Sequence, residues 1–164
     1  RSGIDGTKFS GECTTGLATL RRDGFASMDA GDIEGSLTSR PVKFSGKHMF
    51  VNADVQNGEL WVELLDTSGN VIAPFSKENC IPFRTNKTLQ SVSWKGANDL
   101  SALSGKTVQF RFYLRNGKLY SFWVSPDPSG GSRGYVAAGG PGFIGSSDTV
   151  GAAAYKSAEL LGSD

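Results

Sequence analysis

Apolar and polar residues alternate with a period of two over much of this chain, as expected of β-strands that bury one face. The clearest runs form two pairs, "HMFVNADV" (48–55) with "ELWVELL" (59–65) and "TVQFRFYLR" (107–115) with "KLYSFWV" (118–124). An Asn-Gly dipeptide separates the members of each pair, which is a strong signal for a two-residue hairpin turn. The pattern therefore predicts two β-hairpins.

The turn of the first predicted hairpin fixes which residues share a face. Pairing across Asn57-Gly58 puts one apolar set together: Val51, Ala53, Val55, Leu60, Val62 and Leu64. The opposite face then carries Asn52 and Asp54 from one strand with Trp61 and Glu63 from the other. One tryptophan is thus predicted to point away from the core.

The second predicted hairpin, around Asn116-Gly117, divides in the same way. Its core face would contain Phe110, Phe112, Leu114, Leu119, Ser121 and Trp123. Its other face would carry a mixed aromatic and cationic set: Arg111, Tyr113, Arg115, Lys118, Tyr120 and Phe122.

The whole chain has the signature of an all-β fold. About eight short strands, 22 glycines and no long helical pattern predict an antiparallel β-sandwich, jelly-roll-like, with one short helical turn near "ANDLSALSGK". We divide the chain into an N-terminal linker or arm (1–14), the sandwich (15–147) and a C-terminal linker or short docked helix (148–164). The sandwich segment ends in a Gly-rich loop, "PDPSGGSRGYVAAGGPGFIGSS".

Charge and hydropathy narrow the classes of partner. The chain has 17 basic and 16 acidic residues among 164, so its net charge creates no field that would gather nucleic acid. No apolar run approaches the roughly 20 residues that a membrane-spanning helix needs. We therefore expect neither nucleic acid nor a membrane as partner.

The two cysteines leave two alternatives. A bridge between Cys13 and Cys80 would close a long loop and stabilise the fold by about 4 kcal/mol in the chain-entropy treatment, which would suit a secreted protein. Two unpaired, buried thiols are the other reading. We favour the disulfide.

Catalytic and metal-binding signals are sparse. The single histidine, His48, has no nucleophile motif around it. The acidic loop with Asp29, Asp32 and Glu34 offers oxygen ligands for a structural calcium ion, although its spacing departs from the EF-hand pattern. We expect no other cofactor.

The predicted outer faces favour carbohydrate binding. A sugar ring presents apolar C–H patches and a rim of hydroxyls, which match aromatic platforms flanked by planar hydrogen-bonding groups. The candidate ligand-binding residues are Trp61, Tyr113, Tyr120 and Phe122 for stacking, with Arg111, Arg115, Asn52, Asp54 and Glu63 for hydrogen bonding. The alternative is that a tail, loop or neighbouring domain covers this surface.

Several motifs also resemble a known family. "TGLATLRRDGFASMDAG", "EGSLTSRP", "GKHMFVNADVQNGELWVELLD" and "WKGANDLSALSGKTVQFRFYLRNGKLYSFWV" are similar, in that order, to the C-terminal β-sandwich of five-bladed-propeller proteins like glycoside hydrolase family 32. The catalytic motifs of that family belong to the propeller and have no counterpart here. The resemblance implies a non-catalytic, extracytoplasmic accessory domain.

That accessory domain has two possible uses and one enzymatic competitor. It would hold polysaccharide or oligosaccharide as a binding module, or it would pack its aromatic face on a propeller or other partner domain. The competitor is a jelly-roll polysaccharide lyase, in which Tyr113 or Tyr120, beside Arg111, would act as the base.

Overall fold

Eight β-strands pack as two facing sheets in the computed structural model, which describes residues 16–131. The strands are β1 (Met28–Ala30), β2 (Gly35–Thr38), β3 (Val42–Lys43), β4 (His48–Asp54), β5 (Glu59–Leu65), β6 (Asn86–Val92), β7 (Thr107–Arg115) and β8 (Gly117–Ser125). One sheet has the order β1-β8-β4-β6; in the other, β7 pairs with β2 and β3 and also with β5. All pairings are antiparallel. The predicted all-β antiparallel sandwich is confirmed.

The remaining predicted segments are only partly covered. The predicted helical turn is a 3₁₀ helix, Ser101–Leu103. The N-terminal arm, most of the Gly-rich loop and the C-terminal segment lie outside the described residues.

The prediction of two β-hairpins is wrong. Strand β4 pairs with β6 and β8, whereas β5 pairs with β7 in the other sheet. Strand β8 likewise pairs with β1 and β4 and has no ladder with β7. Each Asn-Gly dipeptide therefore carries the chain from one sheet to the other.

Close packing of these two corners explains their glycines. A Cβ atom on Gly58 would lie 1.8 Å from the carbonyl oxygen of Arg115, and one on Gly117 would lie 2.5 Å from Cγ1 of Val55. Each corner thus presses against the chain next to the other corner, where no side chain fits. Asn116 has φ 45°, in the left-handed region that asparagine tolerates.

The core lies between the sheets and contains most of the residues that the alternation predicted, although Ser121 and Trp123 lie outside it. The apolar set of β4 and β5 is buried and faces across the sandwich, together with Phe110, Phe112, Leu114 and Leu119. Alternation identified the core faces of β4, β5 and β7 although the strand partners differ, because side chains point to alternate sides of a strand whichever strand lies alongside.

A β-bulge in β8 changes which of its aromatic residues enter the core. Asn52 of β4 pairs with Ser121, but the next residue, Ala53, pairs with Leu119, so Tyr120 is an extra residue in β8. The extra residue reverses the phase of every side chain beyond it.

The consequences of the bulge appear in ring contacts. The ring of Phe122 packs against Phe110 and Phe112, with centroids 5.3 and 4.8 Å apart, whereas Trp123 stacks on Phe50 at 5.7 Å. The predictions that Phe122 lies on the ligand face and that Trp123 lies in the core are therefore both wrong.

Candidate functional site

The nine residues predicted to form one ligand surface lie in three places. Five share the outer face of β5 and β7, which we call the β5–β7 face: Trp61, Glu63, Arg111, Tyr113 and Arg115. Three lie on the outer face of the other sheet, the β4–β8 face: Asn52, Asp54 and Tyr120. Phe122 packs against the core. The single surface expected from two hairpins is divided because the two strands of each predicted hairpin lie in different sheets.

The β5–β7 face has three successive rows of paired residues. Trp61 lies directly opposite Tyr113 and forms the middle row. The flanking rows are ion pairs: Glu59 with Arg115 at 3.1 Å and Glu63 with Arg111 at 3.0 Å. The two aromatic side chains are half-buried, so part of each remains open to solvent. The result is an aromatic pair with planar charged groups at both ends.

Glu63 is the centre of a hydrogen-bond network on this face. Its residue is 4% exposed, and Oε1 accepts hydrogen bonds from Arg111 Nη1 and, at 2.7 Å, from the Tyr113 hydroxyl. Oε2 accepts the backbone N–H of Lys77 at 3.4 Å. A buried carboxylate with these partners fixes both side chains in place.

The same network makes Tyr113 a poor general base. Burial and the hydrogen bond to Glu63 raise the pKa of Tyr113, so they outweigh the opposing effect of Arg111. The lyase hypothesis needs the opposite shift at this residue.

Lys77 lies over the aromatic pair and was not predicted. Its Nζ is 4.2 Å from the ring centre of Tyr113 and 5.1 Å from that of Trp61, and it lies 2.6 Å from Oε1 of Glu34. Lys77 comes from the segment between β5 and β6, where no sequence pattern indicates the contact. Glu59 was also missed, but the alternation that gave Trp61 and Glu63 would have found it.

The segment that carries Lys77 is anchored by Cys80. The Cys80 thiol is 3% exposed and accepts the backbone N–H of Val62 of β5 at 3.3 Å. Burial raises the pKa of Cys80 to about 11. Cys80 is a free cysteine, and its predicted partner, Cys13, lies outside the described residues, so the predicted disulfide is not shown.

The β4–β8 face is covered in part by the chain before β1. The Arg21 guanidinium stacks over the ring of Tyr120, 4.7 Å from its centre, and donates to Asn52 Oδ1 at 2.5 Å. It also donates to the Asn86 side chain and to the carbonyl of Ala53. Asn52 is fully buried and donates in turn to the carbonyl of Arg22. Asn52 is therefore not available to a ligand.

The far end of the β4–β8 face is covered by residues that follow β8. The indole N–H of Trp123 donates to the carbonyl of Gly130 at 2.9 Å, and a Cβ on Gly130 would lie 3.0 Å from the Phe50 ring. Two separate segments of the chain thus lie over this sheet.

The three calcium candidates do not form a group that could hold a metal ion. Asp29 pairs with Lys118 at 3.1 Å, and Glu34 pairs with Lys77, so lysines already compensate both carboxylates. Hydrogen bonds from Ser27 and Lys118 lower the pKa of Asp29. Within residues 16–131, no three His, Cys, Asp or Glu side chains form a group able to hold a metal ion. A calcium site at these three residues is not supported.

Comparisons of the chain with known protein families, with curated proteins and with solved structures found no match. The resemblance to the sandwich of propeller proteins therefore stays an expectation drawn from motifs. No helix in residues 16–131 combines the length and apolarity that crossing a membrane requires.

Proposed function

We propose that this chain is a non-catalytic carbohydrate-binding module and that it holds glycan on the β5–β7 face. The observation that carries the proposal is the Trp61–Tyr113 pair, half-buried and flanked at both ends by Arg–Glu pairs. Aromatic faces fit the C–H patches of a sugar, and the guanidinium and carboxylate edges fit its hydroxyls. A module of this kind would serve a polysaccharide-active enzyme outside the cytoplasm.

Rigidity of the face favours binding of an extended, flat ligand. The two strands fix the spacing of the aromatic rings, and Glu63 holds Tyr113 and Arg111 through hydrogen bonds. Side chains that are ordered before binding lose less conformational entropy when the ligand arrives. Arg111 and Arg115 keep 32% and 46% of their side-chain surface exposed, so their free N–H groups remain accessible to a glycan.

The test is a titration of neutral and anionic polysaccharides against wild type and single variants, followed by tryptophan fluorescence and calorimetry. Trp61→Ala and Tyr113→Ala should each weaken affinity about tenfold, equivalent to about 1.4 kcal/mol. Tyr120→Ala is the matched control, because Tyr120 lies on the opposite sheet under Arg21 and should leave affinity unchanged. Equal affinity of all four proteins would reject the β5–β7 face as the site.

A second candidate function is a structural domain that docks on a propeller or another partner domain. The observation in its favour is the number of large apolar residues exposed between residues 17 and 33: Leu17, Leu20, Phe25, Met28 and Ile33. A contiguous patch of exposed apolar side chains is typical of protein–protein contact. Absence of binding across the whole glycan panel would favour this reading.

A further inference from the structure

Lys77 occupies the aromatic pair of the β5–β7 face as a bound cation would. Its ammonium lies within about 6 Å of both ring centres, the range in which a cation is attracted to an aromatic face. The carboxylate of Glu34, 2.6 Å away, neutralises its charge. Two aromatic faces and one carboxylate around an ammonium form a cation site, and here the ligand is part of the chain.

We infer that this site, formed by Trp61, Tyr113 and Glu34, takes glycans whose sugars carry a free amino group, and that such an amine replaces Lys77. The inference rests on the proposed function and names its ligand class. A protonated sugar amine would take the place of the Lys77 ammonium, while the ring that bears it would stack on Trp61. Lys77 then acts as an internal competitor.

Charge pairing on this face favours an amino sugar over an acidic one. Arg111 is paired with Glu63, and Arg115 and Arg84 are both paired with Glu59, so each guanidinium already has a carboxylate partner. An anionic sugar would have to compete with these glutamates. An ammonium ligand instead finds aromatic faces and the Glu34 carboxylate, which displacement of Lys77 would leave without its present partner.

Lys77 can be displaced because its contacts are at the surface. The side chains of Lys77 and Glu34 remain 28% and 36% exposed, so water screens their ion pair. While Lys77 occupies the site, an external ligand binds only the fraction of molecules in which the site is open, and its apparent affinity falls by that fraction. Removing the ammonium should therefore raise affinity.

The test compares two oligosaccharides of equal length that differ only at nitrogen, β-1,4-linked glucosamine and its N-acetylated counterpart. Lys77→Met keeps an apolar stem over the rings and removes the charge. We expect Lys77→Met to bind the glucosamine oligomer about tenfold more tightly than wild type does, with little change for the N-acetylated oligomer. Lys118→Met is the matched control: it also removes one positive charge, but its partner is Asp29.

Further measurements separate failure of the inference from failure of the proposed function. Glu34→Gln in the Lys77→Met background should remove the preference for the amine. If Lys77→Met binds both oligomers equally, the inference is overturned and glycan binding stands. If Lys77→Met binds neither oligomer, the inference is overturned whether or not the variant binds tetramethylammonium, and titration of the full polysaccharide panel then decides the proposed function. No binding to that panel as well overturns both.

Discussion

The two outer faces of the sandwich carry similar residues but differ in what lies over them. On the β5–β7 face, the aromatic pair is flanked by ion pairs within the sheet, and the part of the chain between residues 16 and 131 places the Lys77 side chain over it. On the β4–β8 face, Arg21 covers Tyr120 at one end and Gly130 packs against Phe50 at the other. A lysine side chain can move away alone, whereas backbone segments move only with their neighbours.

This difference shows that composition alone does not identify a binding face. Tyr120, Asn52 and Asp54 have side chains as suitable for sugar as those across the sandwich, yet Asn52 is fully buried by its contacts with Arg21 and Arg22. Whether these side chains are available to a ligand depends on the loops that contact them. These loops come from positions 30 or more residues away in the sequence. The β5–β7 face is therefore the better candidate.

The bulge at Tyr120 places the rings of Tyr120 and Phe122 on opposite sides of β8, and substitution of each ring tests this placement. Phe122→Ala should lower the free energy of unfolding by about 2 kcal/mol, because the half-buried ring packs against Phe110 and Phe112. Tyr120→Ala should cost about 1 kcal/mol or less, since it loses mainly the stacked guanidinium of Arg21. Denaturation in urea measures both. Similar losses in the two variants would mean that the bulge does not place these rings on opposite sides.

A second test asks whether Glu63 fixes the β5–β7 face. Glu63→Gln keeps the shape but replaces charge-assisted hydrogen bonds to Arg111 and Tyr113, so we expect a loss of about 2 kcal/mol in the free energy of unfolding. Glu59→Gln, at the other end of the same strand, should cost less than Glu63→Gln does, because its arginine partners keep 66% and 46% of their side-chain surface exposed.

The same pair of variants also separates stability from binding. If glycan binding depends on the fixed geometry of Tyr113, Glu63→Gln should weaken it even at temperatures where the protein stays folded. Equal unfolding free energies for Glu63→Gln and Glu59→Gln would show that the buried network does not organise the face.

The sequence was sufficient for the strands and the core but not for the strand partners. Alternation finds the core face because side chains point to opposite sides at successive residues, and the apolar set that it predicted for β4, β5 and β7 is buried. The Asn-Gly dipeptides were misread because glycine suits both a tight turn, through its backbone freedom, and these sheet-crossing corners, where a Cβ atom does not fit. Only the close approach of Gly58 to Arg115, 57 positions along the chain, distinguishes them.

The residues of the candidate site were likewise predicted only in part. Five of its residues follow from strand phase, whereas Lys77 and Glu34 reach it from loops, and no period relates them to β5 or β7. Strand phase also predicted the wrong face for the residues of β8 beyond Tyr120, because one inserted residue exchanges the two faces of a strand.

Arg21 holds the segment that covers part of the β4–β8 face, and its substitution tests this cover. Arg21→Met keeps much of the stem over Tyr120 but removes the guanidinium hydrogen bonds to Asn52 and Ala53. We expect a loss of about 1 kcal/mol in the free energy of unfolding, because water can reach Asn52 when this exposed segment loosens and so limits the cost of its lost partner. Arg22→Met is the control, since its side chain is 78% exposed and its ion pair with Asp23 is long, at 3.6 Å.

Limited proteolysis of the same two variants tests the cover directly. Cleavage within residues 16–27 should be faster in Arg21→Met than in wild type or Arg22→Met, because local opening of this segment becomes easier while the sandwich stays folded. If Arg21→Met also gains affinity for glycan that Tyr120→Ala then removes, the two faces differ only in their cover. If cleavage and affinity are both unchanged, Arg21 does not hold the segment in place, and the contrast between the faces must arise within the sheets.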